Sequence, residues 1–380
     1  MTGRGGERPR VLYWVQDFLP SIGGVQVLAG QLLPALRDRG FDFAVMASRD
    51  FTDLPERSEW DGIPVHRFPF REALTEGDPG LLLETLKRVE ALKRSFRPHL
   101  VHVNLTDPSV FFHLRTTGDD PPPFLLTTRV AMTQASAGPD TVLGRAVRSA
   151  DRVTTISRAL RDGLVDLVPA LADTCEVIYN GLKLPPLAPT PPPLEPPRLL
   201  CLGRLAPEKG FDLALDALDR LAPGHPDLHM TVAGEGPASG ALRARASALG
   251  VAERVTFSGW VQPEGVPSLV ARSTLVLVPS RWREGFGLVA LQAHQMGRPV
   301  VASRVGGLAE VVEDGTTGLL VEKDDPAALA EAVRTLLADP VRLRAMGRRA
   351  RERAVGAFGF ERHVAAYERI YQEMTGIRRT

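Results

Sequence analysis

The chain has 380 residues, of which 24% are charged and 44% hydrophobic, and its formal net charge is +1. This composition excludes a disordered chain, and the near-neutral charge excludes a global field that would recruit nucleic acid or a membrane. The two cysteines, Cys175 and Cys201, have no metal-ligand spacing and are too few for a disulfide framework, so we expect a reducing cytoplasm.

The first segment of the sequence, MTGRGGERPRVLYWVQDF, is basic, but Gln16 and Asp17 interrupt its apolar run. It therefore does not have the pattern of a signal peptide. No stretch of apolar residues approaches the length that a membrane-spanning helix needs. Peripheral contact with a membrane stays open, without a feature that favours it.

The first half of the chain alternates between strand-like and helix-like patterns. RVLYWV (10–15) is a short β-rich run, and apolar residues spaced as one helix face follow it and stop at Gly40. FDFAVMAS (41–48) predicts another strand, and LLLETLKRVEALKRSF (81–96) predicts a helix. Further strands are predicted at 99–104, 123–128 and 151–157. Strands that alternate with helices indicate βαβ units and a doubly wound parallel sheet.

A proline-rich segment then separates two similar halves. KLPPLAPTPPPLEPPR (183–198) holds eight prolines in sixteen positions, a density that neither a helix nor a central strand tolerates. We interpret it as a stiff extended connector. The sequence therefore predicts a first domain over 1–182 and a second domain over 183–361 that begins with this linker.

The alternation resumes after the linker. Strands are predicted in RLLCLGRL, LHMTVAG, VTFSG, TLVLVPS and RPVVAS, with helices between them. Asp325 and Pro326 form a capped start for the helix AALAEAVRTLLAD. The fold class is therefore α/β, with two Rossmann-like doubly wound parallel-sheet domains. In such folds ligands bind at the carboxyl ends of the strands, so the turns there are the candidate sites.

Two of these turns carry glycines or cations. SIGGV follows the first strand, and Gly23 and Gly24 would let a ligand approach the backbone at a helix N-terminus that favours an anion. An ordinary glycine turn explains this pattern equally well. GRLAPEKGFD follows the first strand of the second half, where Arg204 and Lys209 would suit a diphosphate. Taken alone, such a pair is more often two solvated surface charges.

A third turn, SRWREGFGLVALQAHQ, places an acid beside a helix start. Gly285 and Gly287 permit a sharp turn, and the unpaired N–H groups of the helix that begins near Phe286 would suit a phosphate. Glu284 would accept hydrogen bonds from sugar hydroxyls, and Gln292 lies two turns further along the helix. The alternative is that Glu284 complements the helix dipole and Gln292 is an exposed helix residue.

Taken together, these turns resemble those of a known family. The run GRLAPEKGFD, VAGEGP, VTFSGWV and VPSRWREGFGLVALQAHQMGRPVVASRVGGLAEVVEDGTTGLLV resembles the donor-binding domain of glycosyltransferase family 4. This resemblance is almost continuous from Arg198 to Val321, and SIGGVQVL, RPHLVHVN, VTTIS and VIYNG are weaker matches in the first half. It implies the GT-B fold, with two domains that face a central cleft, and retention of configuration at the transferred sugar.

The resemblance also implies roles for individual positions. Arg204 and Lys209 match the pair that binds the donor diphosphate and stabilises the leaving group, and Glu284 matches the first acid of the family's paired-glutamate motif, which contacts the transferred sugar. The family's backbone segment over the sugar and phosphates matches Gly285, Phe286, Gly287 and Leu288, and its first-domain glycines match Gly23 and Gly24. Its nucleobase region matches Val261, and its acid near the donor matches Glu310.

Two positions depart from the family pattern. Gln292 stands where the family has a second acid that grips the ribose, and a neutral amide accepts a weaker hydrogen bond, by about 1 kcal/mol. Arg129 aligns where the family often has a histidine, and it would bind a phosphate or carboxylate of the acceptor instead of acting as a base. Acceptor specificity is expected from first-domain loops at 104–110, which include Asn104, and at 129–142.

These observations predict a metal-independent retaining glycosyltransferase that uses a nucleoside-diphosphate sugar, UDP- or GDP-linked, and a small-molecule, lipid or glycan acceptor. No cofactor, metal or nucleic-acid partner is expected. Two alternatives stay open: a related enzyme that makes a non-glycosidic bond, and a silent sugar- or nucleotide-binding partner. From the resemblance we also expect a C-terminal helix, at about 362–380, that packs back on the first domain.

Overall fold

The computed structural model of the chain describes residues 8–21, 23–49, 54–104 and 107–377. The chain forms two compact units. One comprises Met1–Gly181 and Glu361–Thr380, and the other comprises Leu182–Phe360. The proline-rich segment thus belongs to the second unit.

The first unit is built on a largely parallel sheet. Its strands are β1 (Arg10–Trp14), β2 (Asp42–Ser48), β3 (Arg57–Trp60), β4 (Ile63–Phe68), β5 (Leu100–Val103), β6 (Phe124–Thr128), β7 (Arg152–Thr155) and β8 (Cys175–Val177). They lie in the order β3-β4-β2-β1-β5-β6-β7-β8, with β3 antiparallel to β4. The strand order therefore reverses between β1 and β5, whose carboxyl ends form the switch point of this sheet.

The second unit is built on a parallel sheet. Its strands are β9 (Arg198–Leu202), β10 (His229–Ala233), β11 (Val255–Gly259), β12 (Leu275–Val278), β13 (Val300–Ser303) and β14 (Gly318–Val321). Their order, β11-β10-β9-β12-β13-β14, is that of a dinucleotide-binding fold. The switch point therefore lies between β9 and β12, and the turns that follow these two strands meet there.

Helices connect the strands in both units. Those of the first unit are α1 (Gly24–Asp38), α2 (Phe70–Thr75), α3 (Pro79–Phe96), α4 (Val110–Arg115), α5 (Gln134–Ala137), α6 (Val142–Ser149) and α7 (Arg158–Leu167). Those of the second are α8 (Phe211–Leu221), α9 (Ser239–Ala248), α10 (Val266–Ala271), α11 (Leu288–Gln295), α12 (Leu308–Val311), α13 (Pro326–Leu337) and α14 (Pro340–Gly356). Short 3₁₀ turns cover Pro169–Leu171, Pro207–Lys209, Ala252–Arg254 and Pro263–Gly265. The last helix is α15 (Phe360–Thr375).

The central strands are buried on both faces because helices cover them. All four residues of β12, Leu-Val-Leu-Val, are buried, as expected for a parallel strand inside a layered α/β unit. In the second unit the apolar faces of α8 and α13 pack on the sheet, through Leu215 and Val333 among others. None of the described helices is long and apolar enough to cross a membrane.

The C-terminal helix α15 starts earlier than expected, at Phe360, and ends at Thr375. Its residues from Glu361 onward belong to the first unit. The ring of Tyr371 lies 5.5 Å from that of Phe41, and its hydroxyl is 2.7 Å from Nδ1 of His102. Arg39 of the α1–β2 turn donates to Glu368 of the helix at 2.5 Å. Buried aromatic contacts and an ion pair therefore hold this helix on the first sheet.

The proline-rich segment packs against the second unit. The structure describes all residues between Leu182 and Arg198, and they form no helix or strand. Leu182 makes one isolated β-bridge. Arg298, fully buried, donates to the carbonyl of Thr190 at 2.6 Å. Gln295 donates to the carbonyl of Leu182 at 2.9 Å. These bonds fix the extended segment in place.

Candidate functional site

The turns after β9 and β12 pack directly against each other. Gly210 ends the turn after β9 with φ of 66°, a left-handed conformation that favours glycine. A Cβ added there would lie 2.0 Å from the carbonyl oxygen of Pro279, which follows β12. The close approach of these backbones requires glycine at 210, and it brings together the two turns that carry Lys209 and Glu284.

Lys209 and Glu284 form an ion pair at this point. The ammonium Nζ lies 2.7 Å from Oε1 of Glu284, and the hydroxyl of Ser280 donates to the same oxygen at 2.7 Å. The side chain of Lys209 is 31% exposed and that of Glu284 17%, while Ser280 is buried. The carboxylate is therefore held from two sides in a partly exposed position, where its other oxygen can reach a ligand.

Arg204 does not join this pair. It is exposed, and its Nη2 lies 2.5 Å from Oε1 of Glu208 within the same turn. The side chain is 68% exposed, so a ligand that carries phosphate can compete for it at little cost. The predicted pair of cations thus lies in one turn, but in this structure each cation has its own carboxylate.

The helix α11 begins two residues later than expected. Phe286 is buried and packs edge-on against Phe358, with 5.4 Å between ring centroids. Gly287 then caps the helix with φ of 103°, and the first helical residue is Leu288. The N–H groups of the first turn therefore lie just past Glu284. Gln292 lies in the second turn of this helix and is half-buried.

A neighbouring turn supports the backbone of Glu284. The N–H of Gly307 donates to the carbonyl of Glu284 at 2.8 Å. A Cβ at Gly306, whose φ is 50°, would lie 2.3 Å from the same carbonyl oxygen, so glycine is needed there as well. Glu310 follows in α12 and is half-buried; its carbonyl accepts a bond of 2.8 Å from Arg353. Val261, half-buried, follows the end of β11.

In the first unit, the predicted residues lie at the carboxyl ends of the strands. Gly23 caps α1 with extended backbone, and Gly24 is the first residue of that helix. Ile22 of the same turn lies outside the described residues, as do residues 105 and 106 of the predicted acceptor loop. Asn104 directly follows β5 and is buried.

Arg129 is the centre of a buried polar cluster. It is 8% exposed, and it donates from Nε to Asn104 at 2.7 Å and from Nη1 to Asn180 at 3.1 Å. The amide of Asn104 also donates to the hydroxyl of Tyr13. Burial raises the pKa of Tyr13, and the charge of Arg129 opposes that effect. The cluster therefore holds the guanidinium of Arg129 beside Asn104, which follows β5, one of the two strands at the switch point of the first sheet.

Sequence reasoning missed two members of these sites. The sequence places Ser280 only at the end of a predicted strand and Asn180 only in the motif VIYNG. The available signals are a hydroxyl, that of Ser280, four residues before Glu284, and an amide, that of Asn180, after the last strand of the first unit. Among the described residues, no group of three or more His, Cys, Asp or Glu side chains can hold a metal ion.

Comparisons with known proteins place the chain in a family. Residues 22–184 match the family model described as Glycosyltransferase Family 4, and residues 188–353 match Glycosyl transferases group 1. The D-inositol 3-phosphate glycosyltransferase of Acidothermus cellulolyticus is 32% identical over 368 residues, which cover 84% of this chain and 78% of that protein. The chain belongs to glycosyltransferase family 4.

The similarity to curated relatives is uneven in length. The glycogen synthase of Mycobacterium tuberculosis is 37% identical over 228 residues, and the match covers 59% of this chain and 55% of that protein. The chain thus spans little more than half of this relative.

Solved structures confirm the predicted GT-B fold. The sucrose-phosphate synthase of Thermosynechococcus elongatus has a TM-score of 0.84 at 23% identity, over 98% of this chain and 100% of that one. The Anabaena protein Alr3699/HepE, solved in complex with UDP and glucose, has a TM-score of 0.76 at 22% identity, over 96% and 99% of the two chains.

Proposed function

We propose that this chain of family 4 is a retaining glycosyltransferase that moves a sugar from a nucleoside-diphosphate sugar to an acceptor without a metal. The observation that carries the proposal is the pair formed by Lys209 and Glu284, 2.7 Å apart at the switch point of the second sheet. A cation for phosphate and a carboxylate for sugar hydroxyls are thus side by side. The UDP and glucose in the Anabaena protein support a nucleotide-sugar donor.

The donor diphosphate would lie against Lys209, Arg204 and the N-terminus of α11. Breaking the bond between the sugar's anomeric carbon and the phosphate leaves negative charge on the diphosphate. Cations and helix N–H groups already aimed at that position stabilise this charge more in the transition state than in the ground state. This is the role that we assign to both cations and to the backbone from Gly285 to Leu288.

The sugar would be held by Glu284. In the ligand-free chain this carboxylate neutralises Lys209, and Ser280 orients it. When the donor binds, the ammonium of Lys209 donates hydrogen bonds to phosphate as well, and Glu284 accepts a hydrogen bond from a sugar hydroxyl. A carboxylate next to an anomeric carbon that becomes oxocarbenium-like also stabilises the developing positive charge.

Retention requires the acceptor to attack from the face that the diphosphate leaves. The carbon–oxygen bond to the diphosphate breaks with its electron pair, and the acceptor oxygen forms the new bond on the same face. The acceptor's proton passes to an oxygen of the leaving phosphate. No protein base is then needed, which agrees with an arginine at position 129.

The remaining predicted residues would bind the ends of the two substrates. Gln292 would accept from the ribose, the backbone at Val261 would hold the base, and Glu310 would lie near the donor. Gly23 and Gly24 would let an anionic group approach the backbone at the start of α1. Arg129, held by Asn104, would bind an anionic group of the acceptor.

We place the reaction in the cytoplasm because both cysteines are free thiols.

The experiment that tests this proposal offers UDP-, GDP-, ADP- and dTDP-linked sugars with a chelator present and follows products by NMR. We expect one nucleotide class to turn over and the α-linked donor to give an α-linked product. An inverted anomer would contradict retention, and loss of turnover with the chelator would contradict metal independence. A product without a glycosidic bond would favour the related non-glycosidic enzyme, and the absence of any turnover would favour the silent partner.

A further inference from the structure

The side chain of Arg281 joins the two turns of the candidate donor site. Its Nη1 and Nη2 donate to the two carboxylate oxygens of Asp212, at 2.6 and 2.8 Å, and its Nε donates to Asp324 at 2.7 Å. Nη1 also donates to the carbonyl of Pro207 at 3.2 Å. Burial raises the pKa of Asp212, but the bonds from Arg281 outweigh this effect and the pKa lies below its usual value.

Most of these contacts join Arg281, in the turn after β12, to the chain that follows β9. Pro207 opens the 3₁₀ turn that contains Lys209, and Asp212 lies in the first turn of α8, just after it. The backbone N–H of Arg281 adds a bond of 2.9 Å to the carbonyl of Glu208, inside the same turn. Arg281 itself lies three residues before Glu284. One residue therefore ties the chain that carries Lys209 to the chain that carries Glu284.

We propose that Arg281 is a positioning residue of the donor site, which sets the distance between the ammonium of Lys209 and the carboxylate of Glu284. The inference rests on the proposed function. A planar guanidinium makes two parallel bonds to one carboxylate in a fixed geometry, which a lysine cannot reproduce. Displacements of about 1 Å between catalytic groups can lower turnover by about a hundredfold. Arg281 has no role in contacting the substrate in this account.

The chain offers a matched control for this residue. Arg245 of α9 makes the same two-bond pair with Asp216 of α8, at 2.6 and 2.6 Å. Asp216 lies four residues after Asp212 on the same helix, and the side chains of both arginines are partly exposed, at 32% for Arg281 and 45% for Arg245. Among the hydrogen bonds that the described residues form, none joins the side chain of Arg245 to the turns after β9 or β12.

The experiment compares Arg281→Met with Arg245→Met in the full chain. We would measure thermal unfolding, affinity for the nucleoside diphosphate that binds best, kcat, and KM for donor and acceptor. We expect Arg281→Met to lose more thermal stability than Arg245→Met, because Arg281 also donates to Asp324 and Pro207, but both losses should be modest since the two ion pairs are partly exposed. Arg281→Met should lower kcat by about a hundredfold and leave acceptor KM unchanged, whereas Arg245→Met should keep wild-type kinetics.

Two further variants separate positioning from stability. Arg281→Lys keeps the charge without the fork, so we expect its kcat to stay well below that of the wild type. Asp212→Asn keeps the shape of the partner and should fold even if Arg281→Met does not; we expect a smaller loss of kcat in the same direction.

Equal kcat in Arg281→Met, Asp212→Asn and Arg245→Met would overturn the inference, as would full activity of Arg281→Lys. The wild-type protein decides the proposed function separately. If it neither binds a nucleoside diphosphate nor turns over any donor, the function fails and the positioning role fails with it. If it does both and the Arg281 variants behave like the control, only the positioning role fails.

Discussion

Replacement of Lys209 by methionine removes the charge that we assign to the leaving diphosphate and keeps most of the side-chain volume. The pair with Glu284 is partly exposed, at 31% and 17%, so its contribution to stability is modest, about 1 kcal/mol. In a unit of this size that corresponds to a fall in Tm of about 2–4 °C. Ser280 still donates to Glu284 in the variant, which limits the cost of the unpaired carboxylate.

The effect on turnover should be much larger. One preorganised donor to a developing anion contributes about 2.7–4 kcal/mol, or a factor of about 10²–10³ in kcat. Donor KM should change less, because the charge develops only as the bond breaks. Steady-state kinetics and a thermal melt on the same preparation measure both effects.

A matched control for this variant is Lys323→Met, at an exposed lysine of the same unit, which should leave both quantities unchanged. A kcat of Lys209→Met within about threefold of the wild type would refute the assigned role. A loss of Tm far above that range, with kcat reduced in proportion to unfolded protein, would show a structural role instead.

Three further predictions concern single positions and pH. Gln292→Glu should tighten nucleoside-diphosphate binding by about fivefold in calorimetry, because a carboxylate accepts a stronger bond from ribose hydroxyls; unchanged or weaker binding would contradict the ribose contact. Gly210→Ala should lower the free energy of unfolding by more than about 1 kcal/mol in denaturant titration, from its φ of 66° and the backbone 2.0 Å from the new Cβ; a neutral effect would contradict the close approach of the two turns. Burial lowers the pKa of the four most deeply buried histidines: well below the usual value for His102 and His113 of the first unit, to about 4 for His363 of the same unit, and to about 3 for His294 of the second. Since only the unfolded chain takes up these protons, stability should fall as pH drops below about 6.5, by up to about 1.4 kcal/mol per histidine per pH unit. Denaturant midpoints of unfolding at pH 7.5 and 5.5 test this prediction, and the larger loss of stability is expected in the first unit. Equal midpoints at the two pH values would contradict the neutral state of the buried histidines.

The main features of the fold could be predicted because local sequence patterns indicate them. Alternating strand and helix periods predict the parallel sheets. The sequence does not predict the hairpin of β3 and β4, since β3 is almost fully exposed and shows no apolar alternation, and Pro64 lies within β4. Local patterns contain little signal for such an edge.

The candidate site could be predicted only in part. Turns that follow strands indicated Lys209 and Glu284 separately, but their contact depends on β9 and β12 being neighbours, which the strand order of the whole unit determines. The sequence does not indicate a role for Arg281, because its partners are distant in the sequence. Arg129 was expected to face an acceptor, and the structure adds that two buried amides hold it.

The central claim is that the second unit binds a nucleoside diphosphate through Lys209 and its neighbours, without a metal. The most direct test is calorimetric titration of UDP, GDP, ADP and dTDP into the wild-type chain and Lys209→Met, in the presence of a chelator. We predict that one nucleotide binds the wild type and that the variant binds it at least about tenfold more weakly. No binding by the wild type, or equal binding by both proteins, would contradict the account.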